Sequence, residues 1–513
     1  QQITGQPTPV NGGQLLRVVE WKAKRGSNTG AGNGYPPRQR VMACAWHLVE
    51  VGMTGYGPHT QIDLSDLSFL TQLSAQAPDR EAARFALELS ALSYDFRVDP
   101  WLAAGWTDIS IQADERLMGG VAAPDAANRP LYQRVLNQWV PVAARRHISS
   151  NRVIRQVAGR VWKARPAQTG KAVTMIHPLP DGRYAVAIGF MGTGKRRMDW
   201  EVNFHFAHPE GFHAGFLSVA QQFEDNCDKI HFDQVAAQLG LSQLTLADIL
   251  AEARRPDSRF TLFAAGHSQG AAVLQLWLWR QVQAGLLPRH IQGYGFAAPS
   301  VAAESLPAYR DLPLTLVLNS DDAFARMGLR AHLGRAWQIQ SDDALRAFCY
   351  QGHETDPVFM RLLHRYNALS GTRDALLFSI GYLQAMARMP QEDARASLGV
   401  LLGGGLTERV LLWRDEPVGN LLRLMNRLLR SNYRNATGGK PDEGRVTALA
   451  DALLAEALEA GAERYTRTLF QALGAPHTLV FRDRDLPGLA PYTYIVVREY
   501  ARLTPMNPEE PTP

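Results

Sequence analysis

The chain has 513 residues, 46% of them hydrophobic and 20% charged, a length above the usual single domain and a balance that excludes a fibrous or wholly disordered chain. Its formal net charge of +5 is modest for that length, so it argues only weakly for an anionic partner and does not argue for nucleic acid. Cys44, Cys227 and Cys349 are scattered, without a CxxC pair, which favours a reducing compartment.

No apolar run reaches the ~18 to 20 residues of a transmembrane helix, and QQITGQPTPVNGG lacks the charged and apolar regions of a signal peptide. The expected location is the cytoplasm or a membrane surface. The missing initiator Met leaves secretion after signal removal as the open alternative.

Residues 1–40 are rich in Gly, Pro, Gln and Asn and read as a tail or strap. VMACAWHLVEVG and LSDLSFLTQL follow as a helical appendage, with Asp63 and Ser65 as starts for the second helix. Residues 1–78 are therefore expected to form an N-terminal tail and appendage, 79–371 the main α/β domain, and 372–513 a mainly helical region.

From Asp79, DREAARFALELSALSYD has helical periodicity. Between Asp125 and Asp181 no acidic residue occurs, while Arg145, Arg146, Arg152, Arg155, Arg160 and Lys163 cluster with apolar Val153, Ile154, Val157 and Trp162. Such a helix either lies on an anionic lipid surface or is a solvated cationic face packed on the protein.

From Lys171 the pattern alternates. AVTMIHPL, RYAVAIGF, FTLFAA, IQGYGFAA, PLTLVLN and RAWQIQ read as strands, with AGFLSVAQQF and AAVLQLWLWRQVQAG as helices between them. This implies a largely parallel sheet with helices on both faces. Beyond Gly371 the chain reads as helical, ending in two strand-like pieces, TLVF and YTYIVV, and a Pro-rich tail. In NLLRLMNRLLRSNYR, Arg423, Arg427, Arg430 and Arg434 recur at helical spacing, either as an interfacial element or as a solvated edge of a packed helix.

The chemistry concentrates in RFTLFAAGHSQGAAVLQLWLW, Arg259 to Trp279. An apolar strand, the turn Gly266-His267-Ser268-Gln269-Gly270 and a small-residue helix present a serine on strained backbone, with the Gln269 N–H aimed at whatever it attacks. A serine hydroxyl needs a base, and a histidine base needs an anion. PLTLVLN runs into Ser320-Asp321-Asp322, which puts two carboxylates after a strand, and His332, His353 and His364 lie downstream. Order alone does not choose among the three histidines.

These motifs resemble the class 3 lipase family, the fungal-lipase-like α/β-hydrolases. The similarity includes ALELSALSYD, VAIGFMGTGKRRMDW with Gly192, Thr193 and Trp200, His213-Ala214-Gly215-Phe216, GHSQGA, Gly293 to Pro299, Asn319 to Arg326, and His332-Leu333-Gly334-Arg335-Ala336-Trp337. It spans Glu81 to Ser370. The resemblance implies an α/β-hydrolase fold and a serine hydrolase cleaving lipid or other esters without a cofactor. It assigns Ser268 as nucleophile, Asp322 as the acid, His364 as the base, and Thr193 and Gln269 as oxyanion donors, with His332 structural. Lys195 to Phe212 occupies the place of the family's lid, with Trp200, Phe204, Phe206 and Phe212 as acyl-facing or core residues.

Two rival readings come from other classes. Gly189 to Arg196 nearly spells a phosphate-binding loop, but Arg196 stands where Ser or Thr would ligate magnesium. A hydrolase fold kept for binding, with an inert serine, is the other. His205, His208 and His213 fit no established metal-ligand spacing.

Overall fold

The apolar runs read as strands from Ala172 to Ile339 all enter one sheet. The structure, a computed structural model, describes residues 60, 62–72, 78–95, 98–112, 172–193, 202–203, 206, 209–350, 353, 355–402, 417–479 and 490–506, which fall within the unit Val41–Pro513. The first expected appendage helix, the basic segment up to Lys171 and most of Lys195 to His208 lie outside the described residues.

Eight strands stand side by side in chain order: β1 (Thr107–Gln112), β2 (Ala172–Pro178), β3 (Tyr184–Phe190), β4 (Phe260–His267), β5 (Ile291–Phe296), β6 (Leu314–Asn319), β7 (Arg335–Ile339) and β8 (Thr504–Pro505). Pairing is antiparallel from β1 to β3, parallel from β3 to β7, and antiparallel again at β8. The architecture is α/β with a mixed sheet and a parallel centre. β4 is buried at every position, as a central parallel strand covered on both faces must be. Its side chains alternate, Leu262 and Ala264 into one core and Phe263 and Ala265 into the other.

The helix α1 (Arg80–Asp95) puts Ala82, Phe85, Ala86 and Leu89 against Val173, Met175, Phe263 and Ala265. The crossover helices α2 (Ala214–Glu224) and α3 (Gln269–Gln283) both pack on the opposite face, against Val186, Ile188, Leu262 and Ala264. Parallel strands joined in order by crossovers of one hand send their helices to one side. The other side must then be covered from outside the run, by chain that precedes β3 or follows β7.

After β7 comes a helical bundle: α4 (Pro357–Asn367), α5 (Gly371–Arg388), α6 (Gln391–Leu402), α7 (Pro417–Thr437), α8 (Glu443–Ala460) and α9 (Ala462–Gly474). These close a third core around Phe359, Leu376, Leu383, Leu422, Leu453 and Leu469. On α7, Leu422 and Leu429 are buried, Arg423, Arg427 and Arg434 are exposed, and Arg430 pairs with Glu443. Among the described residues no helix is long and apolar enough to cross a membrane.

The chain then returns to the sheet through the 3-10 turn Ala475–His477 and α10 (Pro491–Arg498). The expected strand YTYIVV is thus a helix. Pro491 opens it after extended Ala490, and Tyr492, Ile495 and Val496, spaced as one helical face, are fully buried against the sheet core that α1 also covers. Burial of that face overrides a composition rich in β-branched and aromatic residues. Thr504–Pro505, expected within the tail, pairs with Trp337 and Gln338 as β8.

Candidate active site

β4 ends at His267 and α3 starts at Gln269, so Ser268 alone makes the turn. It adopts φ 57° and ψ −126°, a conformation that costs a non-glycine residue on the order of 1–3 kcal/mol. Its N–H donates to the Phe296 carbonyl at 2.9 Å, which anchors the turn to β5. The flanking glycines are demanded by contact: a Cβ on Gly266 would lie 2.5 Å from the Gly270 carbonyl, and one on Gly270 would lie 2.2 Å from the Phe190 oxygen. The end of β3 is thereby pressed against the start of α3, and half-buried Ser268 is left standing above both.

Asp322 follows β6 and is completely buried. Its Oδ1 accepts from the Phe324 N–H at 3.0 Å and the Ala325 N–H at 3.3 Å, and its Oδ2 accepts the Tyr492 hydroxyl at 2.8 Å. Burial alone would raise its pKa. The facing His477 imidazole and the hydrogen bonds from His477, Tyr492 and Ala325 outweigh that and hold it below the usual carboxylate value. The neighbouring Asp321 instead turns to Arg346 at 2.8 Å.

The imidazole between Asp322 and Ser268 belongs to His477. Its Nδ1 lies 2.8 Å from Asp322 Oδ2 and its Nε2 lies 2.9 Å from Ser268 Oγ. An ionised carboxylate only accepts, so Nδ1 carries the proton and Nε2 is left to accept the serine hydroxyl. The Phe324 ring lies 4.6 Å from the His477 ring, centroid to centroid.

The expectation that His364 stands beside the serine is corrected. His364 falls on the exposed side of α4 because Val358, Phe359, Leu362, Leu363 and Tyr366 form the buried side. His332 bonds through Nε2 to the Ala298 carbonyl at 2.8 Å, and His353 stacks on Phe359 at 4.3 Å. The motifs end at Ser370, and the histidine that meets Ser268 lies beyond the whole helical bundle. One signal was available: in GAPHTLVF a histidine sits in a Gly-Pro turn between a long helix and an apolar segment.

Thr193 and Gln269 are both buried, at 5% and 4% exposure. Thr193 follows β3, whose contact with Gly270 brings this loop beside the serine turn. Its Oγ1 accepts from Asn203 Nδ2 at 2.9 Å, which leaves the hydroxyl proton to be donated elsewhere. Gln269 is the first residue of α3, where main-chain N–H groups point out of the helix end. Of the other residues singled out, His213 caps α2 by accepting the Phe216 N–H at 3.4 Å, and Phe206 packs 4.6 Å from its ring. Lys195 to Trp200, Phe204, His205 and His208 lie outside the described residues.

No family model matches the sequence, and no curated protein matches it. Among solved structures, the chain is similar to a lipase from Rhizopus microsporus var. chinensis, with 21% identity over 34% of this chain and 58% of that one, at a TM-score of 0.24. It is also similar to the Rhizomucor miehei triacylglyceride lipase, at 18% identity over 33% and 62% with a TM-score of 0.23. For lipase II from Rhizopus niveus the figures are 20%, 34%, 63% and 0.23. The chain spans less than two thirds of the length of each of these lipases.

Proposed function

We propose that the sheet and its covering helices are an α/β-hydrolase fold and that the protein is a serine hydrolase of carboxylic esters. The observation that carries this reading is the hydrogen-bonded series Ser268, His477, Asp322 on a strained strand-to-helix turn. His477 Nε2 takes the Ser268 proton as the oxygen attacks the ester carbonyl. Asp322 holds the tautomer and supports the imidazolium. The oxyanion is received by the Gln269 and Thr193 N–H groups, with the Thr193 hydroxyl, oriented by Asn203, as a third donor. The proton on Nε2 then passes to the leaving alcohol, and water repeats the attack on the acyl-serine with His477 again as base.

The proposed substrate is a lipid-like ester. The family resemblance of the motifs supports this, as does apolar Phe324 against the base. The same reading includes contact with an anionic lipid surface, supported by Arg427, Arg434 and Leu428, all exposed on α7. Co-sedimentation with vesicles carrying anionic phospholipid, at low and high salt, tests the contact; equal binding to neutral vesicles removes it.

The hydrolase itself is tested with a panel of p-nitrophenyl esters and phospholipids and a fluorophosphonate serine probe. Wild type is expected to turn over esters and to be labelled, and Ser268→Ala to do neither. An unlabelled wild type that leaves every ester intact would return the fold to a binding role.

A further inference from the structure

His267, the residue before the serine, has a buried imidazole held at both nitrogens. Its Nε2 lies 2.8 Å from the main-chain carbonyl oxygen of His477, and its Nδ1 lies 2.9 Å from the Tyr94 hydroxyl. A carbonyl can only accept, so Nε2 carries the proton. Nδ1 is then a bare acceptor, and Tyr94 donates to it. The Tyr94 oxygen in turn receives the Gly192 N–H, and the fit is close enough that a Cβ on Gly192 would lie 2.0 Å from that oxygen.

The direction of every bond is therefore set, from Gly192 to Tyr94 to His267 to the His477 carbonyl. Burial, and then the charge His477 would carry, push the His267 pKa down to about 3, so the arrangement persists through neutral pH.

This chain of donors joins segments far apart in the sequence: the ladder between β3 and β4 holds two of them in register, and His477 is not part of it. Gly192 stands beside Thr193 at the end of β3, Tyr94 lies on α1, His267 ends β4, and His477 arrives from the helical bundle. Asp322 orients the His477 ring but leaves its main chain to be held by something else. Nucleophile, base and oxyanion donors must agree to well under 1 Å for efficient transfer.

Resting on the serine hydrolase reading, we propose that Tyr94 and His267 are positioning residues: through the Nε2–H tautomer, His267 holds the backbone of the base at its distance from Ser268, and Tyr94 ties both to the oxyanion strand. Neither touches the reacting atoms.

The test uses the full chain with His267→Leu, His267→Gln and Tyr94→Phe. Gln offers a donor where Nε2–H was; Leu fills the space without one. With a soluble short-chain p-nitrophenyl ester, His267→Leu is expected to lower kcat about 100-fold with KM nearly unchanged, a loss typical of misplacement near 1 Å. His267→Gln is expected to recover most of it, and Tyr94→Phe to fall between. Nitrogen-15 histidine NMR of wild type is expected to show His267 as the neutral Nε2–H tautomer.

Wild-type kcat in His267→Leu, or a Gln variant no better than Leu at equal thermal stability, overturns the assignment. So does an Nδ1–H tautomer in wild type, a reading that needs neither activity nor a folded variant. Absence of turnover and of serine labelling in wild type instead removes the hydrolase reading, and the NMR tautomer then still decides the bond from His267 to His477.

Discussion

His477 Nε2 lies 2.9 Å from Ser268 Oγ, although 209 residues separate them in the chain. His364, nearer in sequence and similar in local motif, lies on the exposed side of α4. The two histidines therefore predict opposite outcomes. His477→Ala should lower ester turnover by roughly three or more orders of magnitude, as loss of a triad member does, and His364→Ala should leave it within about twofold. Kinetics of both variants on one soluble ester decide the matter; inactivation by His364→Ala would refute the arrangement.

Tyr492 donates to Asp322 Oδ2 at 2.8 Å while accepting the Asn319 N–H at 3.2 Å. Tyr492→Phe keeps the ring packed but withdraws one donor from a buried carboxylate that retains His477 and two main-chain N–H groups. The expected loss is about 1–2 kcal/mol in stability and a fall in kcat of roughly tenfold from a less well held His477. Urea unfolding and steady-state kinetics check it, and a change in KM alone would count against it.

Acid should weaken the fold before any carboxylate titrates. His267 has a native pKa near 3 against 6.5 for the ordinary value. Between those values the unfolded chain binds a proton that the native protein does not, so stability falls as pH falls from about 6.5 toward 3. One such group contributes about 1.4 kcal/mol per pH unit. His332, pushed down to about 4 mainly by burial, acts in the same direction. Asp322, whose pKa is lowered, adds stability above the ordinary carboxylate value and loses it only below that range. Urea titrations at pH 6.5, 5.5 and 4.5 should give a shallower dependence for His267→Gln by one group's share; identical slopes would show that His267 titrates normally.

Gly270→Ala is expected to be far more damaging than an ordinary surface change. The new methyl would meet the Phe190 carbonyl at 2.2 Å, and backbone on both sides must move. A destabilisation of about 2 kcal/mol or more is expected, together with loss of activity, because the same contact sets Thr193 beside the serine turn. By contrast, a Cβ on Gly399 of α6 would meet nothing within 4 Å, and Gly399→Ala should stabilise slightly. Thermal melts of the pair give the comparison.

Much of the fold was written locally. Apolar runs such as TLFAA and LTLVLN, bounded by turns, mark central strands because a strand covered on both faces has no polar side to show. GHSQG marks the serine turn because only glycine permits the approach of β3, β4 and α3 there. The carboxylate pair Asp321 and Asp322 could be placed after its strand for the same kind of reason, and the family resemblance pointed to Asp322.

The histidine beside Ser268 and its supports were not legible in this way. His477, Tyr492 and the helix of Pro491–Arg498 reach the sheet because strands taken in order send their crossover helices to one face, and the other face is covered by α1 together with chain from beyond the bundle. No local pattern encodes which distant segment makes that closure; burial decided it, turning YTYIVV from a strand-like composition into a helix. Local chemistry thus pointed to Ser268 and to the carboxylate pair Asp321 and Asp322, and tertiary packing alone decided that Asp322 and His477 are the groups aligned with that serine.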